Sequence, residues 1–222
     1  MDHLSAPQIR FRNSNHTIYC QTMNILNLCN TINDKHIAAA VKAMTDGEII
    51  IYPTDTVYAF GCDALQNSAI QRICDIKKEK TDKTSLSIIC ADIAMAAEYA
   101  RISNDIFRLM RANVPGPFTF ILPALSRLPK AFKGRKTVGI RIPENEVCQA
   151  LIEALGHPIL TSSVPIDDED YATEPELLAE RYAREVSLVL DAGRGDIEAS
   201  TVIDCLGDSP EIIRQGKGEL VY

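Results

Sequence analysis

Within five positions the chain sets Thr54, Asp55, Thr56 and Tyr58, three hydroxyls and one carboxylate. Hydroxyls donate and accept hydrogen bonds and a carboxylate only accepts, so such a group can hold an amine and an alcohol. Further hydroxyls fall at Thr119, at Thr161–Ser163 and at Ser200-Thr201, each beside an apolar run. Arg141 and Arg214 lie at the edges of other apolar runs, and Lys77 follows a helical pattern. Guanidinium and ammonium groups hold carboxylates and phosphates through charge-assisted hydrogen bonds. Brought together, these residues would recognise a zwitterion alongside phosphates.

The elements that must position them are legible in outline. Ile49-Ile50-Ile51 reads as a buried strand, and Pro53 cannot continue its ladder. The polar knot is therefore delivered at a strand's carboxyl end, where open α/β sheets bind ligands. The plainer reading is a turn whose Asp and Thr satisfy local backbone groups. Upstream, Asp34 is expected to cap a helix through about Met44, and Gly47 ends that unit. Helices are also expected near 68–77, 92–99, 104–113, 145–155 and 175–183, with an acidic loop at Asp167–Asp170. Strands are expected at 85–90, 118–122, 137–142, 157–163, 188–190, 201–204 and 212–214. Strands alternating with helices imply an α/β domain, and the late, closely linked strands imply a mixed sheet. Residues 1–29 form a polar N-terminal extension without clear periodicity, although Met23 reads like a domain start; residues 30–222 form one domain.

Bulk properties exclude several classes. No apolar run among the 222 residues approaches the ~18 needed to span a membrane, and no secretory signal pattern opens the chain. The seven cysteines include no C-x-x-C pair, which favours reduced thiols in the cytoplasm. Four scattered histidines give no zinc spacing, and no metal ligands are assigned. The net charge of −7 argues against general nucleic-acid coating. Basic residues nonetheless cluster from Arg127 to Arg141 and from Lys77 to Lys83, which suits a small anionic ligand better than a long polyanion. The usual phosphate loops, G-x-S-x-G and H-E-x-x-H are all absent.

Taken in order, YPTDTVYAFGCDA (residues 52–64), PGPFTFIL (115–122), TVGIRIP (137–143), PILTSS (158–163) and STVID…IIRQGKG (200–218) resemble the YrdC-like domain family. The resemblance implies a single twisted, mixed α/β sheet with flanking helices around a large, positively charged cavity. It implies synthesis of threonylcarbamoyl-AMP from ATP, threonine and bicarbonate, a nucleotidyl transfer that releases pyrophosphate, with Mg2+ accompanying ATP. The product serves threonylcarbamoyladenosine modification of tRNA. By the same resemblance Thr56, Tyr58, Thr119 and Ser162 bind threonine, and Lys77, Arg141, Ser200 and Arg214 bind the nucleotide, Lys77 and Arg141 being catalytic.

The chain departs from the synthase pattern in three places. Glu79 stands where K-x-R has its arginine, Val164 where S-x-N has its asparagine, and Ala59 where glycine is usual. With ICDIKK…SLSIIC…EYA, these changes are similar to the YciO branch. The rival expectation is a YciO-type protein that binds double-stranded or ribosomal RNA in translation through the two basic clusters, with little or no synthase activity.

Overall fold

The computed structural model describes residues 24–29, 31–77, 86–128, 132 and 136–222. Within them run β1 (Asn24–Asn27), α1 (Asp34–Thr45), β2 (Ile50–Tyr52), β3 (Ala59–Asp63), α2 (Asn67–Ile76) and β4 (Ser87–Ile89). There follow α3 (Ile93–Ala97), α4 (Asn104–Asn113), β5 (Phe118–Pro123), β6 (Thr137–Arg141), α5 (Glu146–Leu155) and β7 (Ile159–Ser163). The remainder is α6 (Glu169–Thr173), α7 (Pro175–Arg181), β8 (Leu188–Asp191), β9 (Thr201–Asp204) and β10 (Glu211–Arg214). The ten strands make one sheet in the order β1-β8-β2-β3-β7-β4-β6-β5-β9-β10, with parallel and antiparallel neighbours. The expected mixed α/β architecture is what the chain builds.

Two apolar layers hold the sheet, one on each face. The first joins Tyr58, Phe60, Leu160, Ile88, Ile140, Phe120 and Ile203 to helices α2, α4 and α7. The second packs Ile50, Tyr52, Ile89 and Ile159 against α1 and α5 through Ile37, Met44, Leu151 and Ile152. Each fully buried side chain of this size contributes about 1.5–3 kcal/mol. The second layer stops at β4 and β7. Beyond them the same face carries Gly139, Thr119, Ile121 and Val202, none of which belongs to that layer.

Local chemistry sets the element ends. Asn33, not Asp34, caps α1 by accepting from the Lys35 amide, and Asp34 sits in the first turn where a carboxylate suits the helix dipole. Asn145 accepts from the Cys148 amide to start α5, and Gly156, at φ 77°, ends it. The acidic run expected as a loop at Asp167–Asp170 runs into the start of α6, because Asp168 accepts from the Tyr171 amide and caps that turn. Pro53 does end β2, but the chain reverses within six residues and returns as β3, a strand the sequence reading passed over. Gly61 permits this: a Cβ there would lie 2.6 Å from the Tyr52 ring. Asn24–Asn27 also joins the sheet, pairing in parallel with β8. Among the described residues no helix is long and apolar enough to cross a membrane.

Candidate functional site

Strand register decides which hydroxyls can meet. Ser87 pairs with both Gly139 and Thr161, so these three share a face. Side chains alternate along a strand, so Arg141, two residues past Gly139, shares it as well. Gly139 pairs with Ile121, which puts Thr119 on the same face. Thr119 pairs with Val202, and Val202 with Arg214, so Ser200 and Arg214 follow. Four separate segments thus bring Arg141, Thr119, Ser200 and Arg214 to the part of the sheet that α1 and α5 leave uncovered.

The contacts are direct. The Thr119 and Ser200 hydroxyls lie 2.8 Å apart. Arg214 donates to the Ser200 carbonyl from Nε and Nη2, at 3.1 and 2.7 Å, and from Nη2 to the Ser200 hydroxyl at 3.2 Å. Arg141 donates from Nη2 to Asp55 Oδ1 at 2.8 Å and to Thr56 Oγ1 at 2.9 Å. The Arg141–Asp55 pair is buried, with side-chain exposures of 4% and 6%. Buried as it is, Arg141 Nε finds no acceptor among the described residues. Burial lowers the pKa of Arg214, and the Arg141 charge lowers it further, so the two guanidiniums feel one another. Two guanidiniums thus lie near enough to interact, with one carboxylate in direct contact and one buried donor, Arg141 Nε, left without an acceptor among the described residues.

Asp55 is tied from three sides. Its Oδ2 accepts from the Glu144 amide at 3.2 Å, and its carbonyl accepts from Lys217 Nζ at 3.0 Å. Lys217 also donates to Asp196 at 2.7 Å, which holds the Asp196 carboxyl below its ordinary range. Asp55 and Thr56 also line a cavity of about 460 Å³, together with Tyr58, Arg194, Asp196 and Lys217 but neither Arg141 nor Arg214. Lys217 and Asp196 went unnoticed in the sequence, where only the glycines flanking Lys217 mark a tightly placed segment.

The other expected residues fall elsewhere. Ser162 pairs with Phe60 and so faces the first apolar layer, whereas Thr161, bonded to the Tyr52 hydroxyl at 2.8 Å, shares the Arg141 face. Tyr58 lines the cavity, but its hydroxyl is spent donating to the Gly193 carbonyl and accepting from the Ala192 amide. Burial raises its pKa, so it stays a neutral post. Lys77 follows α2 as its C-cap, and its ammonium meets no partner among the described residues. Val164 is buried in the first layer, and its amide donates to the Tyr58 carbonyl. Glu79 lies outside the described residues. So do Lys78, Lys80 and Lys83, and Lys130, Lys133 and Arg135 of the second basic cluster. Arg127 of that cluster is ion-paired with Glu98, and Lys136 is exposed.

The ten-stranded mixed sheet with its flanking helices defines an α/β protein in which arginines and hydroxyls from separate strands share one face. The chain belongs to the Sua5/YciO/YrdC family, whose family model, described as "Telomere recombination", matches residues 42–216. It is 36% identical over 187 residues to the YciO protein of Escherichia coli K12, covering 83% of this chain and 90% of that one. The crystal structure of E. coli YciO superposes with a TM-score of 0.81 at 34% identity, over 88% of this chain and 96% of the other. The threonylcarbamoyl-AMP synthase of Pyrococcus abyssi is 29% identical over 194 residues, 86% of this chain and 57% of its own length. The crystal structure of P. abyssi Sua5 complexed with L-threonine matches with a TM-score of 0.79 at 30% identity, over 86% of this chain and 57% of the other. The chain thus spans just over half the length of the P. abyssi proteins.

Proposed function

We propose that this protein binds ATP and threonine and makes threonylcarbamoyl-AMP from them and bicarbonate, as an L-threonylcarbamoyladenylate synthase for tRNA modification. The observation that carries the reading is the buried Arg141, with its unsatisfied Nε, set beside Arg214 on a face lined by Thr56, Thr119 and Ser200. Kinship with a threonylcarbamoyl-AMP synthase, and with a Sua5 structure holding L-threonine, supports the choice of ligands.

In this reading bicarbonate and the threonine amine form a carbamate and water. A carbamate oxygen attacks the α-phosphorus of ATP, and the bond to the β-phosphate breaks with its electron pair leaving on pyrophosphate. Arg141 and Arg214 stabilise the charge that grows on the phosphate oxygens. Thr56, Thr119 and Ser200 orient the threonine end, and the sheltered face slows decomposition of the carbamate by water. Lys77 and Ser162 are proposed as ligand groups on resemblance alone. Among the described residues no group of three or more His, Cys, Asp or Glu side chains is placed to hold a metal. In this reading Mg2+ arrives on the nucleotide's phosphates.

The test is purified protein with ATP, labelled bicarbonate and threonine, scored for labelled adenylate and for pyrophosphate. Product that requires threonine is expected. No product, combined with salt-sensitive binding of double-stranded RNA, would replace this reading with the RNA-binding one.

A further inference from the structure

We infer that the apolar groove between α3, α4 and the start of α5 seats a segment of another protein, one whose apolar side chains are flanked by Lys or Arg. The groove has a volume of about 630 Å³, and Ile93, Phe107, Val114, Pro115, Ile142 and Pro143 supply its apolar lining. Helix α4 shows how this surface arises. Ile106, Leu109 and Met110 turn into the first apolar layer, while Phe107, Arg111 and the capping Val114 line the groove. Phe107 is the one aromatic residue of that helix, and it is 44% exposed. A helix needs only one apolar stripe to hold it to a core. A second stripe, continuous with Ile93 of α3 and with Ile142 and Pro143 before α5, is the kind of exposed apolar surface that marks an association site.

The rim decides what kind of segment fits. Glu144 and Glu146 stand on the α5 wall and Arg111 on the α4 wall, and none of the three has an ion-pair partner among the described residues. Asp92 adds a further carboxylate, already spent on the Met95 amide as the cap of α3. A wholly apolar ligand would leave Glu144 and Glu146 without a counter-charge. A segment with Lys or Arg beside its apolar residues pairs them while those residues fill the groove, as amphipathic helices do in grooves of this kind. The apolar contacts supply affinity, and the exposed, salt-screened rim charges supply the choice of partner. The occupant would rest against the turn that holds Asp55, because the Glu144 amide binds that carboxylate and Asn145 lines both this groove and the 460 Å³ cavity.

The experiment selects from a displayed library of random peptides about 16 residues long, enough for four helical turns, on the full chain. The enriched sequences are then measured as synthetic peptides by calorimetry. They are expected to combine apolar residues at helical spacing with Lys or Arg, and to bind Phe107→Ser roughly tenfold more weakly or worse. Against Glu144→Lys/Glu146→Lys they should lose about tenfold at low salt and much less at high salt, whereas versions with Glu in place of their Lys and Arg should gain. No enrichment, acidic or uncharged winners, or affinities unmoved by Phe107→Ser would overturn the inference. Self-association of the parent chain that Phe107→Ser abolishes would assign the groove to a second copy and overturn it as well. Should Phe107→Ser not fold, the exposed Glu144 and Glu146 pair carries the comparison through its dependence on peptide charge and salt.

Discussion

Replacing Arg141 with Gln tests the buried pair through stability rather than turnover. Arg141 is 4% exposed and Asp55 6%, so the substitution leaves a carboxylate away from water with one amide for company. Removing one member of a buried ion pair costs about 3–5 kcal/mol, most of it the desolvation of the survivor. In a chain of this length each kcal/mol moves the melting temperature by about 2–4 °C, so a fall of roughly 6–20 °C is expected. The double variant Arg141→Gln/Asp55→Asn strands no charge and should recover most of that loss. Urea melts of the two single variants and the double variant supply the coupling energy, with an unchanged m-value as the check on two-state behaviour. A cost below about 1 kcal/mol for Arg141→Gln, or a double variant no better than the single, would refute a dry, mutually dependent pair.

Three further outcomes follow from the same face. Tyr52→Phe removes a buried hydroxyl 2.8 Å from Thr161 Oγ1 and should cost about 1–1.5 kcal/mol by urea denaturation, without loss of ligand binding. In Gly216→Ala the new Cβ would lie 2.2 Å from the Ala199 carbonyl, lifting Arg214 and Lys217 off residues 199–201. Calorimetry should show pyrophosphate binding lost, whereas Gly156→Ala, at φ 77° with nothing within 4 Å, should only lower the melting temperature. Asp196 has its carboxyl pKa lowered from 3.8 chiefly by the Lys217 hydrogen bond. A depressed carboxyl adds stability that is present above the unfolded value and is lost as pH falls through the folded one. Lys217→Met should therefore flatten the decline in stability below about pH 4, as read from melts across that range, while changing little of its slope near neutrality.

The runs that were plain in the sequence are those whose local chemistry and final environment agree. Ile49–Ile51 is apolar at every position because both faces of β2 are covered. Gly156 ends α5 because only a residue tolerant of positive φ fits there. β3 was hidden for the opposite reason. AFGCD is neither alternating nor β-branched, and its glycine answers the Tyr52 ring, a neighbour visible only once the sheet is assembled. The hydroxyl-ended strands were visible as candidates, but which face each hydroxyl takes is a matter of register. One position separates Thr161, beside the Tyr52 hydroxyl, from Ser162, beside Phe60, and motif matching chose the latter. Asp55 was visible as a carboxylate, yet its role depends on Arg141, 86 residues away.

A crystal structure of this chain with L-threonine and a non-hydrolysable ATP analogue would test the central claim most directly. The account predicts an α-phosphate within hydrogen-bond distance of Arg141 Nε and of Arg214, with the threonine hydroxyl or amine near Thr56, Thr119 or Ser200. Ligands bound elsewhere, with both guanidiniums still facing protein atoms alone, would contradict it.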